Sequence, residues 1–445
     1  MRKLFYSIIE GVDLGVYLKP IQKSIRFVLS KHGIQGSRFD RRVSGIIYNV
    51  FRNLGLIDHI IETTTGFKSS ELNRLELSFL RVTTYLVYLD KHRVSRSFLR
   101  DLRRYGLKFL VENNVETVDR AKWLYERIIA SNWKPRTRDE EIMYKYKVSP
   151  RLYQVLNEAF DLLGEDIDLF LRHTLKPPVR VFRVNSLKSS VDKVIEYLRS
   201  KDIKVEQGLY SRSAIRISSR LRKPIIDLVE KGVLIPQDEA SIVAVELMDL
   251  GEDMDIADLC AAPGGKTTYI AELTRLNSRV FAFELYPDRA KRLKKLLKRT
   301  GTSESVLVYT MDARRAYEIL GDSTMDRVLI DPPCSSTGAL AKNPDVRWRF
   351  ERDRLGEINK LQYELLETGW RILKPNGKLL YTVCSVLPSE GEFLVKKFLD
   401  RHNDAKLLTL NKPFKESPLL PGTIRSYPHI HNVTGFFYAL IEKKP

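Results

Sequence analysis

Ile256-Ala-Asp-Leu-Cys-Ala-Ala-Pro-Gly-Gly-Lys-Thr267 organises the C-terminal half of this 445-residue chain. It begins with a short apolar run, which predicts a buried strand, and passes through a turn of small residues into a helical segment. Similar apolar runs follow at Val280–Glu284, Val306–Thr310, Arg327–Asp331 and Leu379–Val383. Helical segments separate most of these runs: Lys266–Leu276, Pro287–Thr300 and Arg354–Leu373. This alternation predicts a doubly wound α/β sheet, in which ligands bind beyond the carboxyl ends of the strands.

The Gly-rich turn fits neither of two common nucleotide-binding patterns. A P-loop needs a glycine five residues before the last glycine of Gly-Lys-Thr, and Cys260 stands there. A dinucleotide fingerprint needs Gly-x-Gly-x-x-Gly, and only Gly264-Gly265 is present. What remains is a turn that lets backbone approach a ligand, followed by Glu284 at the end of the next strand. A carboxylate at that position can accept hydrogen bonds from ribose hydroxyls.

Acidic residues end three successive predicted strands: Glu284, Asp312 and Asp331. Any one of them could instead cap a helix or lie on the surface. Together, and beside the Gly-rich turn, they favour a ligand site. A cationic sulfonium with adenosine suits such an acidic crevice better than a pyrophosphate does.

Three cysteines are present: Cys260, Cys334 and Cys384. They form no CxxC pair and no Cys/His cluster, so no metal site is expected. Cys334 closes the loop Asp331-Pro-Pro-Cys334, and Cys384 ends the next recognisable strand. Adjacent strand ends are expected to bring these two thiols to one crevice. A free cysteine is usually a buried, inert small hydrophobe, and Cys260 keeps that interpretation.

Two thiols and a carboxylate suit methyl transfer to C5 of cytosine, a poorly nucleophilic carbon. A thiolate that adds to C6 turns C5 into an enamine-like carbon able to attack a sulfonium methyl. An acid near N3 stabilises the charge that develops in the ring. A second thiol could assist the last step, in which the C5 proton and the enzyme leave.

The chain before this region is predicted to hold two further domains. Residues 1–133 show helical stripes of apolar residues, the clearest being Leu72, Leu75, Phe79, Val82 and Leu86. Residues 134–240 are expected to form a charged linker (134–149) and a small α+β unit, followed by the catalytic domain at 241–445. The strand predicted at Pro178–Asn185 carries Arg180 and Arg183, either as contacts to an RNA backbone or as solvated strand residues.

Charge is unevenly distributed along the chain, whose formal net charge is +19. Residues 1–150 carry 28 Lys and Arg against 16 Asp and Glu, a balance of +12. This excess favours a polyanionic partner over a merely basic soluble surface. Glu10 and Asp13 interrupt the first apolar run, so no secretory signal is expected. The sequence contains no apolar stretch long enough to predict a membrane span. We therefore expect a cytoplasmic protein whose partner is a nucleic acid, and we expect it to be a monomer.

Six motifs, in order, resemble those of the 5-methylcytosine RNA methyltransferases that include bacterial RsmB (Fmu or Sun protein) and the eukaryotic NSUN group. They are Phe182–Lys188, Gln237–Ser241, Cys260–Lys266, Asp331–Ser335, Thr382–Ser385 and Thr434–Phe437. The resemblance implies that S-adenosylmethionine is bound by Cys260, Ala261, Ala262, Pro263, Gly264, Gly265, Lys266, Glu284, Asp312 and Asp331. It also implies that Cys384 is the nucleophile, that Cys334 promotes product release, and that Asp331 lies against the target base.

The sequence departs from the family pattern at three places. The usual Ser-Thr-Cys-Ser is Thr382-Val-Cys-Ser385, Ser-Gly-Thr-Gly is Ser335-Ser-Thr-Gly338, and Glu-Asn-Glu is Glu390-Gly-Glu392. Both cysteines and the acidic residues are unchanged at these places, so the family's chemistry is expected to be retained. The family pattern says less about the detailed contacts of this chain with its substrate.

The N-terminal region resembles the NusB-type RNA-binding domain of the RsmB branch, which implies ribosomal RNA as substrate, with transfer RNA as the main alternative. A non-catalytic RNA-binding assembly factor on the same fold is a rival hypothesis, against which the intact cysteines and cofactor loop speak. An exocyclic-amine methyltransferase typically has an aromatic residue after Asp-Pro-Pro, where Cys334 stands here.

Overall fold

The computed structural model describes residues 1–18, 21–219 and 221–445, which form two compact units. The first unit comprises Met1–Gln154 and Pro344–Phe350, and the second comprises Val155–Asn343 and Glu351–Pro445. The further division expected at residues 133 and 240 stays a prediction. No helix within the described residues combines the length and apolar character needed to cross a membrane.

The first unit is helical, as predicted for the N-terminal region. Its helices α1–α8 span Arg2–Gly15, Gln22–Lys31, Asp40–Arg52, Leu54–Thr65, Arg74–Thr84, Arg96–Glu112, Val118–Ala130 and Arg138–Tyr146. One apolar stripe of each of the longer helices packs into a common core that includes Phe79, Val82 and Leu86. The charged segment expected to be a linker contains α8, which begins with a capping box formed by Thr137 and Glu140.

A short segment from the C-terminal half of the sequence, Pro344–Phe350, belongs to this helical unit. The indole of Trp348 covers Gly55 in α4 so closely that a Cβ there would lie 2.4 Å from the ring. Its Nε1 donates a hydrogen bond of 2.9 Å to the carbonyl of Arg52. The sequence gives no sign of this packing, because it joins residues nearly three hundred positions apart.

The second unit carries most of the remaining helices and all the strands of the described residues. Helices α9–α20 span Pro150–Leu163 (which begins in the first unit), Ile167–Thr174, Val191–Arg199, Lys223–Glu230, Glu239–Glu246, Gly265–Leu273, Pro287–Thr300, Tyr317–Leu320, Val346–Arg349 (which lies in the first unit), Arg354–Ile372, Glu392–Leu399 and Pro428–His431. Strands β1–β13 span Arg180–Val184, Val205–Gln207, Ala214–Ile217, Leu234–Pro236, Asp255–Asp258, Arg279–Phe283, Val306–Tyr309, Met325–Ile330, Leu373–Val383, Ala405–Leu408, Lys415–Glu416, Ile424–Ser426 and Phe436–Lys443.

Strands β1–β4 form a small antiparallel sheet, in the order β2-β3-β1-β4 among the described residues, which confirms the predicted α+β element. Neither sequence interpretation of Arg183 is correct. Its side chain is fully buried, forms an ion pair with Glu272, and donates to Gln237 at 2.9 Å. A guanidinium fixed in this way joins the small sheet to α14 and cannot reach an RNA backbone. Arg180 is exposed and donates to the carbonyl of Ser219 at 3.3 Å.

Within residues 221–445, all of which are described, the large sheet has nine strands in the order β11-β12-β13-β9-β8-β5-β6-β7, with β10 beside β13. Strands β5 to β9 are parallel, so the predicted doubly wound α/β sheet is confirmed. Strands β10–β13 add an antiparallel edge that the sequence pattern did not predict. Strand β8 lies between β5 and β9 and is parallel to both. The residues that follow these three strands therefore meet at one edge of the sheet.

Candidate active site

A crevice of about 460 Å³ opens at the carboxyl ends of the parallel strands. Its lining includes residues that follow each of the five parallel strands and two leucines of α18. The lining residues used below are Cys260, Ala262, Phe283, Glu284, Arg289, Asp312, Asp331, Cys334, Ser336, Leu361, Leu365 and Cys384. A cavity of this size, part apolar and part charged, is typical of small-molecule sites.

The Gly-rich turn is shaped mainly by contacts within the protein. Gly264 has φ +107°, and a Cβ there would lie 2.5 Å from Leu293 of α15, so a larger residue would force the helix away. Asp258 accepts hydrogen bonds from Thr267 Oγ1 at 2.7 Å and from the backbone N–H of Cys260 at 3.3 Å. Burial raises the pKa of Asp258 to about 6, although these hydrogen bonds act in the opposite direction by stabilising the carboxylate.

Of the seven residues predicted for this turn, Cys260 and Ala262 line the crevice. Burial raises the pKa of the Cys260 thiol well above its usual range, in keeping with the structural interpretation. Ala261, Pro263, Gly264 and Gly265 stand in the turn without lining the crevice, and Lys266 is engaged by Asp331.

Each acid of the crevice has a basic partner, which the sequence pattern did not reveal. Glu284 lies 3.3 Å from Arg289 and accepts a hydrogen bond from the N–H of Tyr286 at 3.0 Å. Asp312 pairs with Arg314 at 2.6 Å, and this hydrogen bond holds the pKa of Asp312 below its usual value. The crevice therefore offers carboxylate acceptors without the strong net negative charge expected from the acids alone.

Lys266, in the first turn of α14, forms a direct ion pair with Asp331, which lies in the loop after β8. Burial disfavours the ammonium form of Lys266, but the adjacent carboxylate more than compensates, so the pKa of Lys266 is raised. Lys266 is thus a partner of Asp331 rather than a free cation facing the crevice. Asp331 keeps about a quarter of its side-chain surface exposed.

The two cysteines expected to share the crevice lie in contact. Cys334 Sγ and Cys384 Sγ are 3.1 Å apart, and both residues are part-buried and line the cavity. The hydrogen bond with Cys384, burial, and the electrostatic influence of Cys384, Glu390 and Asp331 raise the pKa of Cys334 well above its usual range. Cys334 is therefore a protonated thiol near neutral pH, able to donate to the sulfur of Cys384.

Sequence reasoning missed Arg289 and Glu390 as parts of this site. Arg289 donates to the carbonyl of Ala262 at 2.6 Å and so ties the Gly-rich turn to the helix after β6. Glu390 is buried beneath the two cysteine loops. Its place in the motif Glu390-Gly-Glu392 was visible in the sequence, but its contacts with residues fifty-five positions away were not.

The crevice fits S-adenosylmethionine by the chemistry of its lining. Phe283, Leu361 and Leu365 supply apolar walls for an adenine ring, and Glu284 and Asp312 supply acceptors for hydroxyl and amino groups. No group of three or more His, Cys, Asp or Glu side chains within the described residues is arranged to hold a metal ion.

Solved structures share the architecture described above. The structure of PH0851 superposes with a TM-score of 0.92 at 34% identity, covering 100% of this chain and 99% of that one. A methyltransferase homolog protein from Pyrococcus horikoshii gives a TM-score of 0.58 at 27% identity, covering 67% of this chain and 100% of that one. The sheet and its crevice thus define a protein with a Rossmann-like methyltransferase domain.

Sequence comparison narrows this class to one family. The family model described as 16S rRNA methyltransferase RsmB/F matches residues 245–442. A protein named ribosomal RNA small subunit methyltransferase B, from Photorhabdus laumondii, is 37% identical over 269 residues. That match covers 60% of this chain and 60% of the Photorhabdus protein. Residues 245–442 therefore carry a domain of the RsmB/F type, which confirms the resemblance drawn from the motifs.

Proposed function

We propose that this protein is an S-adenosylmethionine-dependent RNA methyltransferase that methylates C5 of a cytosine in ribosomal RNA. The observation that carries the proposal is the 3.1 Å approach of Cys334 Sγ and Cys384 Sγ in the crevice that also holds Asp331. Methyl transfer to oxygen or to an exocyclic amine needs no thiol, whereas addition to C6 of a pyrimidine does. The name of the Photorhabdus relative supports ribosomal RNA as the substrate class.

Glu284, Asp312 and the apolar wall formed by Leu361 and Leu365 would hold S-adenosylmethionine, with Ala262 of the Gly-rich turn at its edge. Bound there, S-adenosylmethionine supplies an activated methyl group on a sulfonium sulfur. Arg289 would act indirectly, because its contacts with Glu284 and with the carbonyl of Ala262 fix two walls of the crevice.

Cys384 would be the nucleophile. Its thiolate adds to C6 of the cytosine, which breaks the C5–C6 double bond and shifts its electrons into a C4–C5 double bond, so that C5 becomes an electron-rich enamine carbon. Cys334 is suited to the complementary role, since its raised pKa keeps it protonated beside Cys384. After methyl transfer, the C5 proton would pass to water, the C5–C6 double bond would form again, and the Cys384 sulfur would leave C6 as a thiolate. Cys334 would promote this step by donating a hydrogen bond from its thiol to the departing sulfur.

The ion pair of Lys266 and Asp331 would serve the base itself. As Cys384 adds to C6, negative charge develops on the ring and N3 becomes basic. A carboxylate paired with an ammonium group can hold a proton at N3 and stabilise that charge. The ion pair with Lys266 also fixes the orientation of the Asp331 carboxylate. An aspartate without such a partner would rotate freely in solvent.

The helical first unit would bind RNA. Its sequence carries most of the chain's basic excess, and phosphate neutralisation by Lys and Arg is the main source of RNA affinity. Its similarity to a NusB-type domain is part of this proposal. The target cytosine would have to be unpaired or flipped out to reach Cys384.

A methyl-transfer assay with labelled S-adenosylmethionine and unmodified small-subunit ribosomal RNA tests the function, and bisulfite sequencing of the product locates the modified atom. Label in C5 of a single cytosine is the expected result. Transfer RNA serves as the competing substrate, and label there but not in ribosomal RNA would reject the substrate class. No transfer to either RNA by a protein that binds both cofactor and RNA would favour the assembly-factor hypothesis.

A further inference from the structure

A buried carboxylate, that of Glu390, gathers the two loops that carry the cysteines. Glu390 lies in a short 3-10 turn, Pro388–Glu390, beyond the end of β9, and its side chain is fully buried. Ser335 directly follows Cys334, and its backbone N–H donates to Glu390 Oε1 at 2.8 Å. The Ser335 hydroxyl also donates to this carboxylate, and so does the hydroxyl of Ser385, which directly follows Cys384.

Further hydrogen bonds from α18 and β9 hold Glu390 and the loop before Cys334 in place. Gln362 of α18 donates its amide N–H₂ to Glu390 Oε1 at 3.0 Å and to the carbonyl of Pro333 at 3.0 Å. The hydroxyl of Tyr381 donates to the Glu390 carbonyl at 2.8 Å. The hydroxyls of Ser335 and Ser385 themselves lie 3.2 Å apart. The loop before Cys334, the residue after each cysteine and the strand before Cys384 therefore all meet at this glutamate.

The donors around Glu390 are neutral. In the part of the chain that the structure describes, its carboxylate is within 4 Å of no lysine, arginine or histidine nitrogen, so serine hydroxyls, an amide and a backbone N–H satisfy it. A purely structural buried glutamate more often has a basic partner, as Glu392 has in Arg425 two residues later. The carboxylate of Glu390, which Arg425 influences only without direct contact, instead contributes, with the larger effects of Cys384 and burial, to the raised pKa of Cys334.

We propose that Glu390 is a positioning residue for the methyl transfer: it sets the separation of the two sulfur atoms by holding the residue after each cysteine. This inference rests on the proposed function. A shift of about 1 Å in reacting groups can cost about 100-fold in rate, so the fixed loops matter even though Glu390 does not line the crevice.

The test compares Glu390→Gln with wild type in steady-state methyl transfer. Glutamine preserves size but replaces one acceptor oxygen by a donor that cannot accept from two serines. We expect kcat to fall by about 100-fold, with the KM for RNA and the affinity for S-adenosylhomocysteine within about 3-fold of wild type. The matched control is Glu239→Gln, another fully buried carboxylate, which accepts from the N–H groups of Tyr210 and Ser211 and touches neither cysteine loop in the described residues.

The dependence of kcat on pH provides a second measurement. If Glu390 had only a structural role, its replacement would not shift this dependence. Removing a negative charge near Cys334 lowers the pKa of its thiol, so the alkaline decline in activity should begin at lower pH in Glu390→Gln than in wild type. Wild-type kcat and an unchanged profile would overturn the proposal, as would an equal loss of kcat in the Glu239 control.

A second variant keeps the proposal testable if Glu390→Gln does not fold. Ser335→Ala combined with Ser385→Ala removes both hydroxyl donors and leaves the glutamate in place, and we expect a loss of kcat of the same kind. Wild-type kcat in that double variant would reject the proposal. If the wild-type enzyme itself places no methyl group on C5, the proposed function fails instead, which separates the two outcomes.

Discussion

Cys334 Sγ and Cys384 Sγ lie 3.1 Å apart although fifty residues separate them in the chain. The parallel pairing of β8 with β9 produces this contact, since Cys334 stands in the loop after β8 and Cys384 directly follows β9. A hydrogen bond of 3.1 Å from the N–H of Gly338 to the Cys384 carbonyl also joins the two loops. Under the proposed function, these two thiols would act as the nucleophile and the proton donor of the site.

Replacing each cysteine separately should produce different failures. Cys384→Ala should abolish methyl transfer, because no thiolate remains to add to C6. Cys334→Ala should still form the Cys384–C6 bond and should accumulate a covalent protein–RNA adduct, visible as a band of reduced mobility on denaturing gels. Full turnover by Cys384→Ala would reject the assignment of nucleophile. The control is Ser303→Ala, which changes an exposed side chain outside the crevice and for which we expect turnover without an adduct.

Acceptors in the crevice should control cofactor affinity. Glu284→Gln replaces a carboxylate that is available to ribose hydroxyls and paired with Arg289, so we expect S-adenosylhomocysteine to bind about 10-fold more weakly, roughly 1.4 kcal/mol. Isothermal titration calorimetry measures this directly. The exposed Glu304 provides the comparison as Glu304→Gln. Equal affinities in the two variants would contradict the placement of the cofactor.

Asp258 should make stability depend on pH below neutrality. Its pKa in the folded protein is about 6, raised by burial from the usual 3.8. A carboxyl whose pKa is raised by folding contributes stability that is full below about pH 4 and is lost as the pH rises through about 6. The loss is about 3 kcal/mol at most. Urea unfolding of wild type and Asp258→Asn at several pH values measures it. The difference between the two proteins should change over this window, and a constant difference would refute the prediction.

Trp348 should stabilise the helical unit from its distant position in the sequence. Trp348→Ala removes an indole that packs on Gly55 and donates to the Arg52 carbonyl, at a cost of about 2–3 kcal/mol for a part-buried tryptophan. Hydrogen exchange of the α4 amides should be faster in this variant. The neighbouring Arg349→Ala, which changes an exposed side chain, should leave exchange as in wild type. Similar exchange in the two variants would show that the indole contributes little.

Local pattern predicted much of the fold. The stripe from Leu72 to Leu86 indicated a buried helical face, and short apolar runs between helices indicated β5 to β9. These signals are local, since a buried face imposes its period on consecutive residues. The antiparallel edge formed by β10–β13 was not predicted, because pairing between distant strands leaves no periodic signature in a single short strand.

Residue identity likewise indicated the chemistry of the site, because a thiol after Asp-Pro-Pro, a thiol at the next strand end and acids at strand ends are informative without coordinates. What these side chains touch depended on the tertiary structure. Arg183 proved to be buried against Glu272, Lys266 to be paired with Asp331, and Glu390 to hold both cysteine loops. The contacts of Arg183 with Glu272, of Lys266 with Asp331 and of Glu390 with Ser335 each join residues more than fifty positions apart. Only the packing of the sheet against its helices brings these groups within hydrogen-bonding distance.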